Sequence, residues 1–457
     1  MTERLVVVGG DAAGMSAASQ ARKRRGPDDL SIVAFEKGRA TSYSACGIPY
    51  WIGGAVASEA DLVARTPEQH RASGIDLRMC TEVTAIDLDR REVRFRGPDG
   101  EGSEPYDALV YATGSVPMRP PVPGIDAAGV YGVQTLDDGE DLRDELDSGR
   151  VRRVVVVGGG YIGLEIAEAC HVRGFEVTVV DQSATPIGTF DPDIGAFVAD
   201  AVRRLGIELV LSDGVAEIET GDDGRASAVV TASGRRLPAD LVVLGLGVRP
   251  NVALAVQAGI PLGTSGGIAV DARMRTAVDG VWAAGDCVES RHRLSGQRVV
   301  VALGTHANKQ GRVIGINLGG GYATFPGVIG TAITKVCDLE AARTGLSSAE
   351  AEAAGYDFLA ASVDSTTRAG YFPGAQPIRV KMIAERRSGR LLGAQIVGRE
   401  GAAKRIDALA IAVWNEMGVD EVLGLDLSYA PPFSPVWDPV LIAARKAFEA
   451  VEADVRH

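Results

Sequence analysis

Two stretches of the chain repeat one pattern of apolar and polar positions. Residues 4–36 open on the apolar run LVVVGG, continue through AAGMSAASQARKRR and close on LSIVAFE. Residues 152–181 follow the same plan with RRVVVVGGG, YIGLEIAEACHVRG and FEVTVVD. An unbroken Val-rich run predicts a strand buried on both faces of a parallel sheet, and the segment after each glycine turn predicts an amphipathic helix. Strand, glycine turn, helix and strand in that order predict an α/β chain with two Rossmann-like dinucleotide-binding domains.

A third pattern begins near Phe325. Strand-like runs PIRVKMIAE and RLLGAQIVG precede a helix through RIDALAIAVWNEMG and then the Pro-rich SYAPPFSPVWDP. This α+β arrangement does not repeat the first two. Between the repeats, PMRPPVPG (117–124) is a Pro-rich connection that predicts a domain crossing.

A length of 457 residues suits two or three domains. Hydrophobic residues make up 46% but aromatics only 5%, so the cores must rest on Val, Ala, Leu and Ile. A formal charge of -13 argues against general affinity for nucleic acid or an anionic membrane surface. The opening MTERLVVVGG reaches its glycine turn too soon to hold the apolar core of a signal peptide. No run approaches the roughly 18 to 20 apolar residues of a membrane helix, so a cytoplasmic protein is expected. Cys46, Cys80, Cys170, Cys287 and Cys337 are scattered and never form C-x-x-C, which predicts neither a disulfide scaffold nor a metal site. Most of them are expected to be small buried hydrophobes.

GGGYIG (158–163) is a full G-x-G-x-x-G directly after a predicted strand. Gly158, Gly160 and Gly163 permit a tight turn and close backbone approach, and the helix that follows offers free N–H groups to a pyrophosphate. Asp181 ends the next strand, where a carboxylate meets the ribose hydroxyls and disfavours the extra phosphate of NADPH; NADH is expected in preference. GGDAAG (9–14) keeps Gly9 and Gly14 but has Asp11 at the second glycine position. Asp11 is expected to cap the helix with its side chain turned aside. Glu36 ends the following strand at the matching distance.

LVYATGS (109–115) and TAVDGVWAAGDC (276–287) each place a small-residue turn after an apolar strand. They resemble the second and third FAD signatures of two-dinucleotide flavoproteins. The resemblance implies that FAD occupies the first motif and NADH the second, with Thr113 and Gly114 at the FAD site and Asp286 on the flavin ribityl chain. ALGTHANKQGRVIG (302–315) is similar to the helix that points its N-terminus at the flavin ring; His306 within it is given no chemistry. The implied division is 1–115 with 248–323 for FAD, 116–247 for NAD(P)H, and 324–457 for the third domain.

SYSACGIPYWIGG (42–54) makes the resemblance specific. With the nucleotide motifs, the chain over essentially its whole length resembles the single-cysteine branch of the pyridine nucleotide–disulfide oxidoreductases. That branch contains coenzyme A disulfide reductases, NADH oxidases and NADH peroxidases. Cys46 is implied as a redox sulfur that works alone, since Trp51 stands where a dithiol reductase has its second cysteine. A helix starting near Gly47 to Pro49 is expected to lower the Cys46 pKa and favour the thiolate.

Oxidases and peroxidases of the branch carry a His in the first glycine loop, where this chain has Ala12. Coenzyme A disulfide reductases use two tyrosines of the partner subunit, in Y-x-P-G and Y-A-P-P contexts that Tyr371 and Tyr429 match. The resemblance implies that these phenols protonate a departing thiolate and that the third domain dimerises, giving a homodimer. Ala45 departs from the Asn often found before the cysteine, which leaves the thiol open. Arg22 and Lys23 fall where the family grips a nucleotide 3′-phosphate, or they belong to a solvated basic helix face. Tyr161 resembles the ring that covers the flavin until nicotinamide arrives, and Glu165 a residue that positions the nicotinamide. With the sequence ending at His457, no rhodanese-like domain is expected to follow.

The implied activity is NAD(P)H-dependent reduction of a low-molecular-weight disulfide or persulfide, with NADH reducing the flavin and the flavin reducing a Cys46–substrate disulfide. Two other readings stay open: an NADH oxidase working through a Cys46 sulfenic acid, and a redox sensor that binds FAD and NAD without efficient turnover. No nucleic acid, membrane or metal partner is expected.

Overall fold

The computed structural model describes residues 2–455. In the first predicted Rossmann unit, strands Val281–Ala283, Ala108–Tyr111, Glu3–Val8, Leu30–Phe35 and Asp76–Arg78 lie side by side in that order, all parallel. In the second, Glu208–Leu211, Glu176–Asp181, Arg153–Val157, Leu241–Leu244 and Val130–Gly132 form an equivalent parallel sheet. The central residues Leu5, Val6 and Val7, and Val154, Val155 and Val156, are at most 1% exposed. Strands covered by helices on both faces require that continuous apolar run.

The chain passes between these units twice. The two crossing segments, Ser115–Pro117 and Val248–Pro250, pair with each other as an antiparallel ribbon. Strand Val281–Ala283 therefore returns to the first sheet after the second sheet is complete. Helix Gly304–Leu318 then packs across helix Ala12–Arg22 at glycines. A Cβ on Gly311 would lie 2.1 Å from the Ala13 carbonyl oxygen, and one on Gly315 2.4 Å from that of Ala17. Only two backbones in direct contact allow this approach, and it sets the start of the later helix beside the first glycine turn.

The third unit is a five-stranded antiparallel sheet in the order Ala332–Val336, Leu339–Gly345, Leu391–Gly398, Pro377–Glu385 and Phe358–Thr366. Helices Ile406–Trp414 and Pro439–Val455 pack on it. The helix expected through residue 418 stops at Trp414, because Glu416 takes a left-handed φ of +60° that breaks the helical path. The C-terminal helix, Pro439–Val455, follows the Pro-rich stretch and was not foreseen from the sequence pattern. Among the described residues no helix is long and apolar enough to cross a membrane.

Candidate active site

The two dinucleotide turns are built alike. Gly9 and Gly158 have φ of +109° and +104°, and a Cβ on either would strike a carbonyl of the neighbouring strand's turn, Ala112 at 2.0 Å and Gly245 at 2.4 Å. Gly14 and Gly163 sit one helical turn on, where a Cβ would lie 1.9 Å from the carbonyl oxygens of Gly9 and Gly158. These positions exclude any side chain by contact, whereas a Cβ on Gly160 would meet open space. Gly160 is the N-cap of helix Tyr161–Val172 and makes no side-chain cap, so the first N–H groups of that helix face this space without intrahelical acceptors.

At the first turn Asp11 takes the place of Gly160. It stands at the N-cap of helix Ala12–Arg22, but its carboxylate does not cap that helix. Instead Oδ1 accepts from the Tyr43 N–H at 3.3 Å, which corrects the expected capping role and ties the turn to the cysteine segment. Burial, with the nearby Glu36 charge adding to it, pushes the Asp11 pKa up to about 6. The strand-ending carboxylates brace both turns. Glu36 accepts from the N–H groups of Gly10 at 2.8 Å and Gly38 at 2.7 Å, and Asp181 from those of Gly159 at 2.5 Å and Ser183 at 2.7 Å.

The other two small-residue turns meet each other. Ser115 donates its hydroxyl to Asp286 Oδ2 at 3.0 Å, joining positions 171 residues apart. Thr113 donates to the Asn251 carbonyl at 2.7 Å, Gly114 takes a φ of +68°, and Gln310 Oε1 accepts from the Gly285 N–H at 2.8 Å. Burial raises the Asp286 pKa against the lowering effect of the Ser115 bond. Ser115, Asn251 and Gln310 were not singled out from the sequence; only Ser115, adjoining the ATG turn, carried a local signal.

Cys46 lies in a single 3-10 turn, Ala45–Gly47, followed by the five-residue helix Ile48–Ile52. A Cβ on Gly47 would come 2.3 Å from Leu62 Cδ2, so the turn is pressed against the segment beneath it. Cys46 is solvent-accessible. Its thiol pKa is nevertheless raised, by desolvation first and then by the carboxylates of Glu165 and Asp286. The expected lowering by a helix start is overturned: one short helix offers little field against burial and two acids. Trp51 is 6% exposed, packed under the Arg143 guanidinium 4.8 Å from its ring and sharing a core with Ile48, Ile52, Leu136 and Leu142. Of the other cysteines, Cys170 and Cys287 are buried as expected, whereas Cys80 is exposed and Cys337 partly so, both at left-handed turn positions.

Glu165, on helix Tyr161–Val172, accepts from the Thr334 hydroxyl at 3.2 Å. Burial pushes its pKa up to about 7, with the Thr334 bond opposing and the Glu168 charge assisting. Burial first, then Glu165, Glu168 and Cys46, raises the Tyr50 phenol to about 12. Tyr161, the first residue of the same helix, has its hydroxyl 3.2 Å from that of Thr189. His306 packs edge-on to Phe325 with Nδ1 buried and unpartnered, and burial drops its pKa to about 4, so the ring is neutral.

The remaining predicted residues lie apart from this group. Arg22 donates Nε to the Gly74 carbonyl at 3.2 Å and Nη1 to that of Arg25 at 3.1 Å, while Lys23 is exposed. Tyr371 and Tyr429 are 78% and 47% exposed on the third unit and lie against each other. The charges that act on Cys46 within its own chain are those of Glu165 and Asp286, and Cys46 in turn acts on the Tyr50 phenol; Tyr371 and Tyr429 are not among these groups. Among the described residues no group of three or more His, Cys, Asp or Glu side chains could hold a metal ion.

Two Rossmann turns, a glycine-turn pair closing on Asp286 and an accessible sulfur between them define a two-dinucleotide oxidoreductase with a thiol at its centre. Residues 3–311 match the family described as pyridine nucleotide-disulphide oxidoreductase, and residues 331–439 match its dimerisation domain. The chain belongs to that family. It is 40% identical over 443 residues to an NAD(P)H sulfur oxidoreductase (CoA-dependent) of Pyrococcus abyssi, covering 96% of this chain and 97% of the relative. It is 36% identical over 451 residues to an NADH oxidase of Methanocaldococcus jannaschii, covering 98% and 99%. The structure of a NAD-dependent persulfide reductase from A. fulgidus superposes with a TM-score of 0.95 at 40% identity, covering 98% of this chain and 84% of that one. The family's cofactors, FAD and NAD(P)H, fit the residues present: both turns open on helices without capping side chains, and the space at Gly160 is clear.

Proposed function

We propose that this chain reduces a low-molecular-weight disulfide or persulfide, coenzyme A disulfide or persulfide among them, through a mixed disulfide on Cys46. The observation that carries the reading is the accessible Cys46 with a buried Trp51 where a dithiol enzyme has its second cysteine. The names borne by the P. abyssi and A. fulgidus relatives support the substrate class.

In this reading Gly9, Gly14, Glu36, Thr113, Gly114 and Asp286 hold FAD, and Gly158, Gly160, Gly163 and Asp181 hold the nicotinamide dinucleotide. Asp181 makes NADH the preferred donor over NADPH, because a carboxylate repels a 2′-phosphate. Tyr161 covers the nicotinamide site and Glu165 orients the nicotinamide. FAD held by these residues would supply the two-electron chemistry that links NADH to the sulfur. The Cys46 thiolate displaces one thiolate from the substrate and forms the mixed disulfide; two electrons then break that S–S bond and release the second thiol.

Tyr371 and Tyr429 act from the partner subunit by protonating the departing sulfur. Their surface includes Phe433, Val436 and Trp437 at 74%, 69% and 49% exposure, an apolar patch suited to pairing in a homodimer. Lys23, exposed, and Arg22, whose plane is fixed by two carbonyls, meet a nucleotide phosphate of the substrate. The domain division is 1–115 with 248–323, 116–247 and 324–457, supported by the ribbon that pairs both crossings. Five unpaired cysteines suit work in a reducing cytoplasm.

The test is Cys46→Ser in the FAD-loaded enzyme. NADH is expected to bleach the flavin as before while disulfide turnover falls at least about 1000-fold. Retained turnover overturns the proposal. Oxygen consumption without disulfide, at rates matching disulfide reduction, would instead assign the chain to the oxidases.

A further inference from the structure

Segment 183–191, between Asp181 and helix Pro192–Arg204, is fastened at both ends. At one end the Ile187 N–H donates to the Gly159 carbonyl at 2.8 Å and so holds the second dinucleotide turn. Ile187 does this at a left-handed φ of +51°, rare for a β-branched residue, with its side chain 2% exposed. At the other end Asp191, 3% exposed, is held by the third unit: it pairs with Lys381 at 2.7 Å and accepts from the Ser348 hydroxyl at 2.6 Å, while its N–H donates to Gln395 Oε1 at 2.8 Å. Between these anchors stands Thr189. Its carbonyl accepts from Arg343, a 5% exposed guanidinium that also pairs with Glu350, and its hydroxyl meets that of Tyr161 at 3.2 Å.

We infer that Thr189 is a positioning residue that latches Tyr161 in its nicotinamide-free place, with the latch itself anchored on the dimerisation unit through Arg343. The inference rests on the proposed role of Tyr161 as cover of the nicotinamide site. A segment pinned at a strained residue and at a buried ion pair cannot drift with the phenol, so nicotinamide entry must break the Thr189–Tyr161 bond. A contact present only in the ligand-free conformer weakens ligand binding by its own worth. Thr189 is exposed, so water competes for this bond and its effect is modest.

The experiment measures NAD+ dissociation constants by calorimetry, and NADH KM and kcat, on FAD-loaded enzyme carrying Thr189→Val, Thr189→Ser, Tyr161→Phe and Thr189→Val with Tyr161→Phe. Thr189→Val is expected to lower the NAD+ dissociation constant and the NADH KM about two- to fivefold with kcat unchanged. Tyr161→Phe is expected to lower the NAD+ dissociation constant to the same extent, the pair to lower it no further, and Thr189→Ser to restore the parent value. Unchanged affinity in both single variants, multiplying effects in the pair, or failure of the serine to rescue overturns the latch. Tyr161→Ala separates the two readings. If removing the ring leaves NAD+ affinity unchanged, the cover role itself is wrong; if affinity rises there but not in Thr189→Val or Tyr161→Phe, only the latch is wrong.

Discussion

Thr334 donates its hydroxyl to Glu165 Oε1 across 3.2 Å, joining the dimerisation unit to the helix that opens on the second dinucleotide turn. The bond lowers a carboxyl pKa that burial has pushed up to about 7. A raised pKa means that the folded protein keeps a proton the unfolded chain releases. The contribution to stability is therefore present below the ordinary carboxylate range and is lost as pH rises from about 4.5 to about 7. Glu165→Gln removes that dependence. Chemical denaturation at pH 8 is expected to find the variant more stable by about 1 to 3 kcal/mol, with little difference at pH 4. Equal gains at both pH values would contradict the assignment.

Tyr429 tests the acid step. Tyr429→Phe in the homodimer is expected to slow thiol release about 10- to 100-fold, at the low end of general-acid effects because the Tyr371 phenol lies against it. Flavin reduction by NADH, followed by stopped-flow absorbance, stays at the parent rate. Tyr371→Phe combined with Tyr429→Phe is expected to exceed either alone.

Asp181 tests donor choice. Asp181→Asn keeps an acceptor for the Gly159 and Ser183 N–H groups but removes the charge. The kcat/KM for NADH is expected to fall about tenfold, roughly 1.4 kcal/mol, while that for NADPH rises. Parallel changes for both dinucleotides would place Asp181 in bracing the turn alone.

The buried pair Lys381–Asp191 tests the join between the units. Burial alone would raise the Asp191 pKa, but its bonds to Lys381 and Ser348 outweigh that and hold it below the usual range. Lys381→Met leaves the 3% exposed carboxylate without its cation. The expected loss is about 3 to 5 kcal/mol in urea unfolding, larger than for any surface pair. Changing Asp191→Asn in the same chain should recover part of it.

The Val-rich runs and their glycine turns were legible because strand, turn and helix follow one another directly in sequence; Gly14 and Gly163 are required by the carbonyls of Gly9 and Gly158 within the same turn, whereas the contacts of Gly9 with Ala112 and of Gly158 with Gly245 are long-range. The motif order likewise forecast a second unit nested inside the first, since each small-residue turn follows its own strand. What acts on Cys46 was not legible. The neighbouring carboxylates come from Glu165 and Asp286, more than 100 residues away along the chain. Burial first, and then these two charges, raise a pKa that the following helix alone was expected to lower.

The chain's own pattern determined which segments become strands, where the glycine turns between strand and helix fall, and that Trp51 rather than a second cysteine follows Cys46. Only the tertiary structure decided how those turns are held. Asp11 bonds to Tyr43 rather than to its own helix, Glu165 to Thr334, Tyr161 to Thr189 and Asp191 to Lys381. Periodicity reports the surroundings averaged along one element, whereas hydrogen bonds and desolvation depend on single atoms brought together from distant elements.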